Sequence, residues 1–181
     1  MSKLIIYDAN SVEVLKEVIQ HDEISGLLSV QGVRFEHWSA DAEVKFGDSS
    51  EAILEAYQNR VQEELDSQGF QSVDVISVSP ESADIAALRQ KFLDEHRHSE
   101  DEVRMFADGI GLFYLHLSDK VYALLCEKGD LISVPANTPH WFDLGAAPRL
   151  AAIRFFNNPE GWVAHYSGSD IAKRFPLLAS Q

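Results

Sequence analysis

The sequence predicts a mainly β fold with additional α-helices, in which helices and a few strands precede a small β-barrel. From residue 96 onward, short segments rich in β-branched and aromatic residues alternate with Gly, Asp, Asn and Pro. Their spacing of about 8–12 residues is typical of small sandwiches and barrels. Before that point, residues 49–67 show the apolar periodicity of an amphipathic helix. A chain of 181 residues is the size of one domain with a substantial core.

We therefore expect one domain over residues 1–181, with a helix-rich part (1–90), barrel strands (91–156) and a C-terminal tail (157–181). Ser49 or Ser50 is a suitable N-cap for the amphipathic helix, and Gly69 lies just past its end. The pattern predicts further strands at 3–8, 32–40 and 72–80, and further helices at 12–20 and 82–96.

Composition excludes several classes of partner. The formal net charge of −14 repels nucleic acid phosphates and anionic lipid surfaces, so neither is an expected partner. No apolar run approaches the roughly 18–20 residues that span a bilayer. The first residues lack a signal-peptide pattern, and the single cysteine, Cys126, cannot form an internal disulfide. We expect a cytoplasmic protein and, since no coiled-coil pattern is present, a monomer.

The segment EHRHSEDEVRMF (95–106) combines histidines, carboxylates and an arginine. On an extended strand His96 and His98 point to the same side, whereas a helix would place them about 200° apart. On the following strand Glu102 and Arg104 share one face. His140 follows the rigid loop PANTP downstream. Together, His96, His98, Glu102 and His140 form a candidate set of three imidazoles and one carboxylate for a metal ion.

The segments that contain these residues resemble two known sequence motifs. HRHSEDEVRMFADG (96–109) fits the first motif of the cupin superfamily, and GDLISVPANTPH (129–140) resembles the second, although Asn137 stands where a glycine is usual and Leu144 where Asn is frequent. The finer resemblance is to the bacterial branch of the acireductone dioxygenase family. Arg104 two residues after Glu102, the helical first half and the tail NNPEGWVAHY carry it, and it extends over most of the chain.

The resemblance implies a cupin (double-stranded β-helix, or jelly-roll) barrel and a dioxygenase of methionine salvage. Such an enzyme binds one Fe2+ or Ni2+ per chain, with Co2+ and Mn2+ as alternatives. It cleaves 1,2-dihydroxy-5-(methylthio)pent-1-en-3-one, acireductone, with O2. The iron form yields 4-methylthio-2-oxobutanoate and formate, and the nickel form yields 3-methylthiopropionate, formate and carbon monoxide.

Candidate substrate contacts follow from residue chemistry. Arg104 and Arg154 interrupt apolar strands, where a guanidinium without partners is costly, so each is a candidate for binding an anionic substrate. Glu95 precedes the first ligand and is a candidate for supporting it or relaying a proton. Three aromatic residues are candidates for lining a pocket around a thioether tail, with core packing as the alternative: Phe92, Phe142 and Trp162.

Two other interpretations remain open: another cupin dioxygenase, of the thiol or quercetin type, and a metal-binding cupin without catalysis. Glu100 and Asp101 are expected to make a solvent-facing turn. Cys126 is expected to be a buried apolar residue. The histidines outside the motifs show no ligand-like neighbours in sequence and are expected on the surface or in the core: His21, His37, His116 and His165.

Overall fold

The computed structural model describes residues 1–158 and 160–179. Its strands are β1 (Lys3–Asp8), β2 (Val14–Val18), β3 (Arg34–His37), β4 (Ser72–Val78), β5 (His96–Arg97), β6 (Glu102–Leu117), β7 (Lys120–Glu127), β8 (Asp130–Val134), β9 (His140–Asp143), β10 (Leu150–Phe156) and β11 (His165–Tyr166). Its helices are α1 (His21–Val30), α2 (Ser50–Ala56), α3 (Gln58–Gln68) and α4 (Ile85–Leu93), followed by a 3₁₀ turn (Ile171–Arg174). None of the described helices is long and apolar enough to span a membrane.

Two antiparallel sheets form the body of the fold and share the long strand β6. One sheet has the strand order β11-β5-β9-β6-β7-β1-β2, and the other has the order β4-β10-β6-β8-β3. The first half of β6 belongs to the second sheet and its second half to the first. At the transition Gly109 adopts a φ of +73°, and a Cβ there would lie 1.8 Å from the carbonyl oxygen of Arg149, so only glycine fits. The barrel predicted from the sequence is therefore confirmed.

Side chains along β6 point alternately into the barrel, where the candidate metal ligand Glu102 lies, and outward into a second core. Glu102, Arg104 and Phe106 point between the two sheets, while Val103 and Met105 point outward against α2 and α3. The inner cluster draws apolar side chains from both sheets, and a separate cluster packs the 3₁₀ turn against the outer face of β7 and β9. The interior of the barrel thus holds charged groups within an apolar wall.

The strands of the barrel are not confined to residues 91–156. β1 pairs with β7 and with β2, β3 pairs with β8, and β4 pairs with β10, so the helix-rich first part contributes four strands to the two sheets. The tail from 157 contributes β11, which pairs with β5. Positions 159, 180 and 181 of this tail lie outside the described residues.

The helix predicted over 12–20 is wrong. Asp8 accepts hydrogen bonds from the backbone of Asn10 and Ser11, and the chain turns through Val12 at a φ of +61°. The segment returns as β2, antiparallel to β1, and a helix not predicted from the sequence, α1, follows at His21. The β-branched residues of this stretch favour a strand once β1 provides an edge to pair with.

The helix predicted over 49–67 forms as two helices, α2 and α3, with a break at Tyr57. The Ser49 hydroxyl accepts the backbone N–H of Ala52, which confirms the predicted N-cap. Gly69 ends α3 in the left-handed conformation. The Tyr57 hydroxyl accepts the N–H of Ala42, which ties the break to the preceding loop.

Candidate metal centre and substrate pocket

Three histidines converge at one end of the barrel. His96 lies in β5, His98 follows it, and His140 opens β9 directly opposite His96. All three are buried, and one ring nitrogen from each lies within 4.8 Å of the others. The strand alternation predicted for His96 and His98 is found, with Arg97 between them exposed.

Backbone carbonyls fix which nitrogen of each ring faces the site. Each Nδ1 lies 2.7–3.1 Å from a carbonyl oxygen, which requires a proton on Nδ1 and leaves the lone pair on Nε2. Such a bond also sets the orientation of a ligating ring. The acceptors are Asp94 for His96, Val163 for His98 and Thr138 for His140.

Glu102 completes this group of ligand-type side chains. Its Oε2 lies 3.2 Å from His98 Nε2 and 3.8 Å from His140 Nε2. Both Glu102 Oε2 and His140 Nε2 are fully buried and lack a hydrogen-bond partner among the described residues. Orphaned buried polar atoms are costly, and a shared divalent cation would satisfy both. The donor set fits a transition metal of the Fe2+, Ni2+, Co2+ or Mn2+ type with open positions.

The electrostatics of the group favour metal binding. Burial by itself would raise the pKa of Glu102, but the charge of the adjacent Arg104 guanidinium outweighs it and lowers the pKa well below 4.5. Burial lowers the pKa of His140 to about 3, and it also lowers the pKa of His96 and of His98. The site therefore presents neutral imidazoles and an ionised carboxylate, the protonation states that bind a cation.

Arg104 is buried beside the ligand group inside an aromatic enclosure. Its Nε donates to Glu102 Oε1 at 2.5 Å, whereas Nη1 has no partner in the described part of the chain. Three rings lie 4.5–5.4 Å from the guanidinium carbon. Two of them, Phe92 and Phe142, were candidates from the sequence, and the third, Phe113, was not. Phe113 was missed because nothing in the segment GLFYLHL distinguishes it from a core residue.

The two departures from the second cupin motif have structural explanations. Asn137, which replaces the usual glycine, adopts a φ of +62°, and Asn is among the few residues that tolerate this conformation. Its N–H donates to the carbonyl of His98 at 2.8 Å, so the loop that presents His140 is held against the first motif. Leu144 packs into the inner core cluster. Neither departure disturbs the ligand group.

The turn after His98 is more tightly held than the sequence suggested. The Glu100 carboxylate accepts from the side chains of Asn157 and Asn158, and Asp101 accepts the N–H of Ala136 at 2.7 Å. Asp101 is exposed, as expected, and Glu100 is half-buried. Both also tie other segments, the tail and the PANTP loop, to the turn between His98 and Glu102.

Glu95 is buried, and its Oε2 lies 2.7 Å from Nδ1 of His116, a half-buried histidine of β6. His116, expected on the surface or in the core, is thus a half-buried histidine whose partner is the carboxylate of Glu95. A separation of 21 residues along the chain concealed the pair. It connects the residue before the first ligand to a ring that water can reach.

The other two candidate contacts are less favourably placed. Arg154 lies opposite Arg104 in the sheet, but its Nε and Nη2 donate to Asp74 at 2.8 and 2.6 Å, so its fork is already occupied. Trp162 is 45% exposed, with the Lys91 ammonium 5.3 Å from its ring centroid. This surface position does not support the predicted contact with an apolar pocket.

Comparison with known proteins identifies the family. A model of the ARD/ARD' family matches residues 3–164, which is most of the chain.

The chain belongs to the ARD/ARD' family.

Relatives in the ARD/ARD' family match the whole chain. The acireductone dioxygenase of Pseudomonas fluorescens (strain Pf0-1) is 52% identical over 98% of this chain and 99% of its own length. That of Cronobacter sakazakii (strain ATCC BAA-894) is also 52% identical, over 99% of this chain and 100% of its own. The resemblance predicted from the two motifs is confirmed.

A solved structure from the ARD/ARD' family supports the fold and the metal. Acireductone dioxygenase from Bacillus anthracis, with a cadmium ion in its active centre, has a TM-score of 0.80. It is 30% identical, and the match covers 92% of this chain and 98% of that one. The predicted cupin barrel is confirmed, and a metal ion in the active centre of a relative agrees with the donor set described above.

Proposed function

We propose that this chain is a metal-dependent acireductone dioxygenase of methionine salvage. It would cleave acireductone with O2 to 4-methylthio-2-oxobutanoate and formate when it holds Fe2+, and to 3-methylthiopropionate, formate and carbon monoxide when it holds Ni2+. Both product sets contain all the atoms of acireductone and one O2. The observation that carries the proposal is the buried Arg104, whose free Nη1 lies beside a four-residue ligand group in a chain of this family.

The ion would be held by His96, His98, Glu102 and His140, one Fe2+ or Ni2+ per chain. An octahedral ion with these four ligands keeps two positions for the two oxygens of a deprotonated enediol. When bound, the ion supplies Lewis acidity and a template for the oxygens. The carbonyl acceptors on each Nδ1 keep the Nε2 lone pairs directed at it.

Charge balance favours a dianionic substrate. A divalent ion, the Glu102 carboxylate and the Arg104 guanidinium sum to two positive charges, which a doubly deprotonated enediol neutralises. Arg104 would donate Nη1–H to a substrate oxygen while Nε holds Glu102. In a buried site this attraction is stronger than in water.

The aromatic enclosure would exclude water and accept the apolar end of the substrate. Phe92 and Phe142 meet edge to face, and Phe113 lies between Phe142 and His140. All three rings are buried. A methylthio group suits such a wall because sulfur interacts favourably with aromatic rings. We keep Trp162 and Arg154 as weaker candidates for substrate contact.

Glu95 and His116 would serve proton transfer and positioning. The carboxylate is buried beside His96 in sequence, and the His116 ring reaches partly into solvent. A proton taken up at Glu95 Oε2 can pass to His116 Nδ1 across 2.7 Å. This pair would connect the enclosed site to bulk water without opening the aromatic wall.

Two alternatives make different predictions. A thiol or quercetin-type dioxygenase would use the same ligands but has no need of the buried Arg104 next to Glu102. A metal-binding cupin without catalysis would show no turnover with any of these substrates. A monomeric, cytoplasmic protein with acireductone and O2 as its partners, and without nucleic acid or membrane, remains our prediction from composition.

The deciding experiment is anaerobic addition of acireductone to Fe2+-loaded and to Ni2+-loaded protein, followed by admission of O2 and identification of products. We expect the two product sets above, with metal-free protein and His140→Ala as controls that show only the uncatalysed reaction. Decay of acireductone at the uncatalysed rate with both metals would refute the proposal. Turnover of a thiol or of quercetin instead would favour the first alternative.

A further inference from the structure

A second group of ligand-type side chains lies away from the first. His21 begins α1, His37 ends β3, and Asp130 begins β8, directly opposite His37. Asp130 is four residues before Val134, which pairs with Glu102, so the two groups are about 13 Å apart along β8. Nothing in the sequence connects His21 with His37, and the expectation that they lack ligand-like neighbours is wrong.

The donor atoms of the three side chains lie close together. Asp130 Oδ1 lies 3.5 Å from His37 Nδ1 and 3.9 Å from His21 Nε2. His37 Nδ1 also lies 3.4 Å from the carbonyl oxygen of Gly129, a long contact that metal ligation would replace. The two imidazole rings are stacked, with centroids 3.4 Å apart and planes 21° apart. One donor atom from each residue lies within 4.8 Å of the others. His37 is 61% exposed, so an ion has access from solvent.

Asp130 is fully buried, yet one of its oxygens is unused. Oδ2 accepts from the hydroxyl of Ser2 at 2.6 Å and from the N–H of Glu127 at 2.9 Å. Oδ1, which faces the histidines, has no hydrogen-bond partner among the described residues, and neither has His21 Nε2. A fully buried carboxylate oxygen without a partner destabilises the fold unless a cation or a hydrogen-bond donor binds to it.

The surrounding charges also favour a cation. No lysine or arginine in the described part of the chain forms an ion pair with Asp130. The cluster is therefore short of positive charge.

We infer that His21 Nε2, His37 Nδ1 and Asp130 Oδ1 bind a second divalent metal ion, of the zinc type. Donor atoms about 2.0–2.1 Å from a tetrahedral zinc lie about 3.3–3.4 Å apart. Asp130 Oδ1 and His37 Nδ1, 3.5 Å apart, already have this spacing, whereas Asp130 Oδ1 and His21 Nε2, 3.9 Å apart, would approach by about 0.5 Å on binding the ion. Two imidazoles favour zinc over magnesium or calcium, which prefer oxygen ligands. Water would occupy the fourth position.

This ion is structural. It connects α1, β3 and β8, and through Asp130 it also holds Ser2 at the start of the chain. Its binding adds stability according to the free ion concentration and the dissociation constant. The inference is independent of the proposed function, because the ligands differ from those of the first group and the ion is away from the enclosed pocket.

The test is zinc content per chain, measured by elemental analysis on untagged protein after zinc loading and gel filtration. We expect two zinc ions in the wild type, one in His37→Ala, one in His140→Ala and none in the double variant. The matched control His165→Ala removes another exposed histidine, on β11, and should keep two. Because His37 is mostly exposed, its replacement should not prevent folding.

A thermal melt gives a second readout that does not depend on activity. In the His140→Ala background, zinc should raise the unfolding temperature, and adding His37→Ala or Asp130→Asn should remove that rise. Equal zinc content in the wild type and His37→Ala would overturn the inference, whatever the first ligand group binds. In that case the stacked histidines would be a metal-free packing pair.

Discussion

Replacement of Arg104 by Met tests the assignment of the substrate-binding cation. The guanidinium and the Glu102 carboxylate are both almost completely buried and lie 2.5 Å apart. Methionine occupies a similar volume and suits the enclosure of Phe92, Phe113 and Phe142, so the change removes charge more than packing. Two separate effects are expected, one on catalysis and one on stability.

The magnitudes follow from burial. Loss of one partner of a buried, hydrogen-bonded charge pair costs about 2–5 kcal/mol. At about 1.36 kcal/mol per factor of ten, kcat/KM for acireductone should fall between about 30-fold and several thousand-fold. In metal-free protein, Glu102 loses its cationic partner, and the free energy of unfolding should fall by about 3–5 kcal/mol. In metal-loaded protein the loss should be smaller, because the ion neutralises the same carboxylate.

The assay combines acireductone turnover, metal content and thermal melts with and without metal. Arg89→Met is the matched control, since Arg89 pairs with the buried Asp143 at 2.7 and 2.9 Å but lies outside the site. Its stability loss should be the same with and without metal, and its kcat/KM should not change. An unaltered kcat/KM in Arg104→Met at full metal content would refute the assignment. Equal destabilisation of the metal-free and the metal-loaded Arg104→Met protein would also refute it.

Three further predictions concern the site and its supports. In Gly111→Ala, the added Cβ would lie 2.3 Å from the ring of Phe142, which packs on the Arg104 guanidinium. The free energy of unfolding should therefore fall by about 1–3 kcal/mol, and kcat/KM should fall as well. Gly26→Ala, with open space around its Cβ, is the control and should not destabilise; equal effects of the two changes would contradict the reasoning. Asp143→Asn should destabilise at pH 7: burial alone would raise the pKa of Asp143, but Arg89 and two backbone N–H groups lower it below 3.8. Because the pKa of Asp143 is lower in the folded than in the unfolded protein, the wild type should be more stable than Asp143→Asn above pH 3.8. This difference in stability should disappear as the pH falls through the folded pKa, and a difference that grew in acid would refute the reasoning. Finally, chelation should abolish turnover and lower the unfolding temperature, and Fe2+ or Ni2+ should restore both with different products; a chelated protein of undiminished activity would exclude a metal requirement.

The candidate ligand group could be predicted from the sequence alone because the relevant residues follow the spacing of short strands. A period of two on a strand places His96 and His98 on one side, and the same period places Glu102 and Arg104 on one face of the next strand. His140 came from a second motif whose loop is fixed by proline. These inferences need only backbone geometry that short segments impose on themselves. The barrel class followed similarly from the regular spacing of turns.

Tertiary structure decided whatever depends on residues far apart in the chain. Residues 12–20 carry apolar side chains that suit either a helix or a strand, and pairing with β1 decided for a strand. Phe113 joined the enclosure because β6 pairs with β9 and brings its ring to Phe142. The fork of Arg154 was occupied by Asp74, on a strand 80 residues away.

The same limit explains the two histidine contacts that the sequence did not reveal. His116 met Glu95, and His21 and His37 met Asp130, because the fold brings segments distant in sequence together: β9 lies between β5 and β6, and β3 pairs with β8. Local patterns state which side of a strand a residue faces. They do not state which strand lies next to it, since that choice is made by burial of the whole apolar surface at once. The sequence by itself therefore determined which residues are candidate metal ligands, and only the fold decided which side chains lie next to them.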